Sequence, residues 1–588
     1  MTERRADIDI LKGIAALAVV FYMAVGNRFV VGVDVFLAVS GFLMGSRFTQ
    51  KNRVWPFLRG RVTRLMPLTL CVCICCMMAG AAFMMPDAYE NLCENVVASG
   101  FFMDNVLLVI TGSDYWSAPA AFNPLLSMWY VGLIMQVCLI MALLYAIDSW
   151  RNRGTVRRKP VITVLCGLTA ISFLMLFMAD ETGPGTYYLV QYRFWECGTG
   201  ALAGYWFCGG GWNAGLRARR ICGGLALMFL VVILFFFPGN AGMTPMPTVI
   251  GADLPQPVSA GGVWRVIAVA LTCVVLICRP GFAGVYWCPL AVVGQMSLSI
   301  FIWNHVIPAF LNYFGVPYIT ALCIFLPVLA ILAWLTYRYV EPVRLGTLRS
   351  RIYFRIVWAV AMAAAFFIYL RAGVVRDVPE LGVTVSNPYA VRNTEYTDRI
   401  WSYFGHFETD RTHVLLVGNS FVRDAGNIIM ESDVAGDVEI VYCNTFDNVE
   451  DYQLQEADVL IVFGGPEAVP PHVRARLLPG TRIVGTGTKC LGVSMGPVFT
   501  GRGKPGYYET TVESNPVCDS LNRVWARQWD GRFIDVNDAL RTPDGRLRVF
   551  TPDSMFVSFD CLHLTPAGAA YATRRLPLKE ILSDVSRP

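Results

Sequence analysis

Apolar stretches long enough to cross a bilayer recur through the first two thirds of this chain and stop near residue 372. About eleven can be drawn, near 8–26, 31–46, 65–85, 124–147, 161–179, 187–207, 220–237, 263–279, 286–312, 316–336 and 353–371. Backbone polar groups in lipid are satisfied only in helices or closed barrels, and runs of this length argue for helices. The second run is short enough to be partly re-entrant. The run at 97–110 carries Asp104 and reads as interfacial. No small-residue cleavage site follows the first run, so it reads as a membrane helix rather than a signal peptide. Beyond residue 372 the sequence is that of an ordinary soluble domain. The expected fold is therefore a polytopic α-helical membrane domain of about 10–11 transmembrane helices, followed by an α/β domain with a mostly parallel sheet. The boundaries fall at 1–345, 346–380 (last helix and linker) and 381–588.

Loop charge orients the chain. Arg47, Lys51, Arg53, Arg59, Arg61 and Arg64 fill one loop; Arg151, Arg153, Arg157, Arg158 and Lys159 another; Arg217, Arg219 and Arg220 a third. Arg338, Arg344, Arg349 and Arg351 fill a fourth, whereas 86–123, 180–186 and 238–262 contain no Lys or Arg. Positive loops stay in the cytoplasm. With an odd number of spans the N-terminus is cytoplasmic and the C-terminal domain extracytoplasmic. A net charge of only +5, without a basic domain, argues against a nucleic-acid partner. Of the 18 cysteines, only Cys443, Cys490, Cys518 and Cys561 lie in the soluble tail. They form no C-x-x-C pair, so no metal site is expected. One or two disulfides are open to them if the tail faces outward.

Ionisable side chains within spans are costly and mark function or internal pairing. Asp9 and Lys12 lie three apart on the first helix, as do Arg193 and Glu196 at the start of the sixth, and either pair could satisfy itself. Asp34 opens the second and could be a cap. The order of these groups is informative. Asp9-Ile-Leu-Lys12-Gly, Gly32-Val-Asp34-Val-Phe…Ser40-Gly41-Phe, Arg59-Gly-Arg61-Val-Thr-Arg64, Trp129-Tyr with Gln136, Arg193-Phe-Trp-Glu196, Ser297-Leu-Ser…Trp303-Asn and Tyr337-Arg-Tyr-Val-Glu341-Pro-Val-Arg344 follow one another. Over residues 5–345 this series resembles the acyltransferase-3 family of integral-membrane O-acyltransferases. The resemblance implies a donor-binding and membrane site drawn from Lys12, Asp34, Arg64, Arg193 and Glu196. No bound cofactor is implied; acyl-coenzyme A is the donor substrate, met by Lys12 at the cytoplasmic side. The family pattern also places a histidine eleven residues after the basic position, about 16 Å along the helix. Met23 stands there, and a thioether cannot accept a proton at neutral pH. His305, beside Trp303-Asn304, is the only histidine before the tail.

In the tail, Val414-Leu-Leu-Val417 is an apolar run ending in Gly418-Asn-Ser420 before a segment of helical spacing. That pattern predicts strand, turn and helix, with the serine at the helix N-terminus. Further strands are expected at 438–442, 459–463, 482–486 and 533–536. Asp560-Cys-Leu-His563 lies near the end. A serine after the first strand with a late Asp-x-x-His resembles the SGNH hydrolases over about residues 410–580. The resemblance implies Ser420 as nucleophile, His563 as general base and Asp560 as its orienter. It implies oxyanion donors at Ser420 N–H, at Gly464 or Gly465, and at an asparagine, where this chain has Cys490.

Together these expectations describe a membrane O-acyltransferase. It moves an acyl group, most often acetyl, from cytoplasmic acyl-coenzyme A across the bilayer to a hydroxyl of a cell-surface glycan or peptidoglycan. Two alternatives stand beside it: a catalytically inactive scaffold or binding relative, motivated by Met23, and a membrane-tethered carbohydrate esterase.

Overall fold

A computed structural model describes residues 5–25, 31–46, 54–112, 119–152, 158–179, 184–208, 215–236, 261–278, 288–343, 345–492 and 494–582. The loop residues Arg47, Lys51, Arg53, Arg153, Arg157 and Arg344, and the stretch 238–260, lie outside the described residues.

The first part is helical throughout. Its helices are α1 (Ala6–Val25), α2 (Val31–Ser46), α3 (Val54–Phe83), α4 (Pro86–Gly100), α5 (Asp104–Ile110), α6 (Met128–Arg151), α7 (Arg158–Met178) and α8 (Pro184–Tyr188). They continue as α9 (Val190–Cys208), α10 (Leu216–Phe236), α11 (Gly261–Cys278), α12 (Pro289–Gln295), α13 (Ser297–Tyr313), α14 (Tyr318–Leu335) and α15 (Leu348–Leu370). Helices thus occupy all eleven predicted positions. Among the described residues six are long and apolar enough to span a bilayer, or seven if α12 and α13, bent by 73°, form one broken span. The expected ten to eleven is therefore more than length and composition alone qualify. Helix α2 is a shorter apolar helix. Helices α1 and α9, which carry charged residues inside their apolar runs, stand outside that count. The 97–110 run falls on the end of α4 and on the short α5, neither among the helices long and apolar enough to span, and its Asp104 is buried and accepts from Ser99 Oγ at 2.6 Å.

Small residues decide how closely these helices approach. Gly41 and Gly45 of α2 face Gly200 and Gly204 of α9, and a Cβ on Gly41 would lie 1.9 Å from the Cys197 carbonyl oxygen. Close backbone contact replaces the hydrophobic driving force that helices lack in lipid. The same device seats α1 on α12, where a Cβ on Gly294 would meet the Asp9 carbonyl at 1.7 Å. After α14 the chain makes a π turn over Thr336–Val340, a rare element often found at functional sites.

The C-terminal domain begins with α16 (Asn393–Asp398) and then β1 (Thr412–Val417), α17 (Ser420–Met430), β2 (Val438–Cys443), β3 (Val459–Phe463) and β4 (Arg482–Thr486). Three short strands follow: β5 (Thr511–Val512), β6 (Phe533–Ile534) and β7 (Leu547–Arg548). The main sheet has the order β2-β1-β3-β4-β6, with every pair parallel. All five expected strands are present, and β1 and β3 are buried apolar runs, as parallel sheets require. The antiparallel β5–β7 pair had no counterpart in the expected pattern. The strand order reverses between β1 and β3. Sites in such sheets open at the carboxyl ends beside that switch point.

Candidate active site

Ser420 lies at that switch point. Gly418 turns the chain out of β1 at φ +146°, and Asn419 caps α17 by accepting from Phe421 N–H at 3.1 Å. Ser420 therefore begins α17, where unpaired N–H groups and the helix dipole favour a developing oxyanion. Gly464 and Gly465 follow β3 on the other side of the crevice. The Gly464 N–H donates to Thr486 O at 3.0 Å inside the sheet, which commits it. Among the described residues the Gly465 N–H has no such partner.

The expected base, His563, lies at the far end of the domain. Asp560 Oδ2 and His563 Nδ1 are 2.6 Å apart, and Asp560 Oδ1 accepts from Leu562 N–H at 2.9 Å and His563 N–H at 2.7 Å. Cys561 between them adopts φ +71°, a left-handed conformation that curls the loop around the carboxylate. Burial alone would raise the Asp560 pKa, but the His563 charge and these N–H donors hold it below the ordinary value. Burial alone would lower His563, and the Asp560 carboxylate outweighs it, so His563 is raised. Its Nδ1 is turned to Asp560, leaving Nε2 as the face for a substrate or serine proton. The loop is tied to α17 through Asp424, which accepts from Leu564 N–H at 3.1 Å.

This loop rests on the membrane helices. Cys561 shares an apolar cluster with Met85, Val374, Met495 and Phe499. Ser494 Oγ donates to Tyr313 O at the end of α13, Arg392 pairs with Glu90 at 3.1 Å, and Asn393 donates to Asp87 at 3.3 Å. Burial, with Asp560 nearby, pushes the Asp87 carboxyl up to about 6. The two halves therefore meet at the Asp560–His563 loop. They do so at the ends of α3, α13 and α15 opposite those flanked by Arg59, Arg61, Arg338 and Arg349.

The membrane residues fall into two groups. Asp34, Arg193 and Glu196 come together at the starts of α2 and α9, with Arg193 Nη1 3.3 Å from both carboxylates. Arg265 of α11 completes a square, 2.9 Å from Asp34 and 2.8 Å from Glu196. Arg265 lies in none of the motifs that marked the other residues, and its partners are 69 and 231 positions away in the chain. Arg193 is buried against the faces of Trp129 and Tyr187, and among the described residues its Nε and Nη2 find no hydrogen-bond partner. Lys12 and Arg64 lie in the other group, near Glu341 at the end of the π turn, which accepts from Ser299 Oγ at 2.6 Å. Met23 is partly buried against the apolar core, and His305 is buried on α13.

Cys490 and Cys518 form a disulfide that holds the segment after β4, whereas Cys443 and Cys561 are free and buried. Sequence reasoning missed the ion pair beside it: Lys489 contacts Asp424, both buried. Lys489 and Asp424 lie 65 positions apart, outside the motifs that marked the site.

Comparison with known proteins agrees with this architecture. The acyltransferase-domain family matches residues 5–338. The chain belongs to that family. It is similar to the putative membrane-bound transacylase BcsY of Komagataeibacter xylinus, 26% identical over 314 residues, 51% of this chain and 72% of that protein. It is similar also to the O-acetyltransferase OatA of Staphylococcus aureus, 22% identical over 363 residues, 57% of each chain. The peptidoglycan O-acetyltransferase OatA of Listeria monocytogenes is 26% identical over 212 residues, 34% of each chain. The match thus spans little more than half of the first OatA and a third of the second. No solved structure matches.

Proposed function

We propose that this protein is a membrane O-acyltransferase that carries an acyl group from cytoplasmic acyl-coenzyme A to a hydroxyl of a cell-surface glycan, with peptidoglycan the leading acceptor class. The supporting observation is the docking of the Asp560–His563 loop on the membrane half, at the end opposite the basic residues. By the positive-inside rule those residues face the cytoplasm, so the C-terminal domain faces outward. The disulfide fits an oxidising compartment. The relatives named for O-acetylation and peptidoglycan support the acceptor class.

The chemistry follows from the geometry. His563 takes the Ser420 hydroxyl proton; Ser420 Oγ bonds to the carbonyl carbon of the acyl group presented by the membrane half, the bond from that carbon to its donor group breaks, and the donor group leaves with the proton from His563. The glycan hydroxyl then gives its proton to His563 and attacks the seryl ester, which releases Ser420 and returns the proton to it. The donor engages the Lys12–Arg64–Glu341 group. Ser420→Ala should abolish O-acylation of the surface glycan while leaving the protein in the membrane; full acylation in that variant refutes the scheme.

A second reading, a non-catalytic relative, rests on Met23. There the natural protein acylates nothing, and Met23→His restores turnover. Turnover of acyl-coenzyme A by the unaltered protein excludes it.

A further inference from the structure

We propose that the buried Asp424–Lys489 ion pair positions the triad, fixing the His563 loop against the Ser420 helix and balancing the charge His563 acquires in catalysis. This rests on reading Ser420 and His563 as nucleophile and base. Asp424 lies four residues after Ser420, one turn along α17 and on the same face. Its Oδ2 accepts the N–H of Leu564, the residue after His563. One carboxylate therefore joins the helix that carries the nucleophile to the loop that carries the base. Its Oδ1 has no hydrogen-bond partner among the described residues.

Lys489 reaches the pair from the segment after β4, at 1% exposure, with Nζ 4.9 Å above the ring of Phe421, next to the nucleophile. The disulfide at Cys490 and an Asn537 contact to the Cys490 N–H at 3.4 Å brace that segment. A fully desolvated ion pair seldom adds stability over apolar packing. Accepting one N–H needs only a neutral oxygen. The charges have a further use in the field at His563. The imidazole faces Asp560 on its own loop, Asp424 on α17 and Lys489 after β4. Arg423 adds to the field at Lys489, and Asp87 of α4 faces Asp560. Asp424 attracts the imidazolium as it forms. Lys489 offsets part of that attraction, so His563 is not already protonated before the serine proton arrives.

The test uses the full chain in detergent and a fluorescent fluorophosphonate. Ser420 Oγ bonds to phosphorus, the P–F bond breaks, and the serine proton passes to His563. Labelling rate against pH reports both placement and protonation of His563 without needing donor or glycan. Lys489→Met should slow labelling at least tenfold and move the acid-limb midpoint to higher pH, because Asp424 then acts uncompensated; Lys489→Arg should recover most of the rate. Unchanged rate and midpoint in Lys489→Met overturn the proposal. Should the lone buried carboxylate prevent folding, Asp424→Asn/Lys489→Met removes both charges and keeps an oxygen for Leu564 N–H. It should also label at least tenfold more slowly, and labelling at the parent rate overturns the proposal. Failure of the unaltered protein to label at Ser420 refutes instead the nucleophile reading on which this rests.

Discussion

Replacing Gly41 by alanine probes the seam that assembles the membrane charge cluster. The added Cβ would stand 1.9 Å from the Cys197 carbonyl oxygen, whereas a carbon and an oxygen settle at about 3.3 Å. Helices α2 and α9 must therefore part by about 1.4 Å or tilt about the contact. Asp34 lies on α2 and Arg193 on α9, 3.3 Å apart, so parting of that size carries them to about 4.7 Å, beyond hydrogen-bond reach. Overpacking of this kind costs about 1–3 kcal/mol. On the proposal that this cluster belongs to the acyl-handling membrane site, a displacement of about 1 Å there costs on the order of 100-fold in rate. Purified Gly41→Ala should melt a few degrees below the parent and turn over acyl groups about 10- to 100-fold more slowly. Gly60→Ala on α3, where a Cβ meets nothing within 4 Å, is the matched control. If Gly41→Ala melts and turns over like that control, the seam does not set the cluster geometry and the reasoning is wrong.

Asp560→Asn should leave the fold intact but lower the rate of Ser420 labelling by about 10⁴, as loss of the orienting carboxylate does in serine triads. In the unaltered protein the raised His563 pKa puts the acid limb of that rate above about pH 6.5; a midpoint well below it refutes the Asp560 coupling. Asp87 binds its proton more tightly folded than unfolded, with its pKa raised from 3.8 to about 6. Its contribution therefore favours the folded, docked state as pH falls from about 6 to 4, by at most about 3 kcal/mol. Asp87→Asn should remove that component of the pH dependence of thermal stability, and an identical pH profile in the variant rejects it.

Much of this architecture is local and was legible as such. Bilayer length fixed the helix positions, because lipid leaves the backbone no other partner. Apolar runs ending in Gly418-Asn-Ser420 and Gly464-Gly465 marked strands whose ends flank a crevice. The spacing Asp560-x-x-His563 allowed one loop to close on its own carboxylate. Other features depend on residues far apart in sequence. Arg265 joins Asp34 across 231 positions, and Lys489 joins Asp424 across 65. Neither spacing has a period that a reader of the chain could follow. Hydropathy runs on without interruption through the ninth apolar run, so the 73° break between α12 and α13 at Met296 was not visible in it. Periodicity and length report what a segment does with its own backbone. Which charges share a buried site, which N–H groups the sheet has consumed, and where the Asp560–His563 loop meets the membrane helices are decided only when packing brings distant segments together and burial forces each polar group to find a partner.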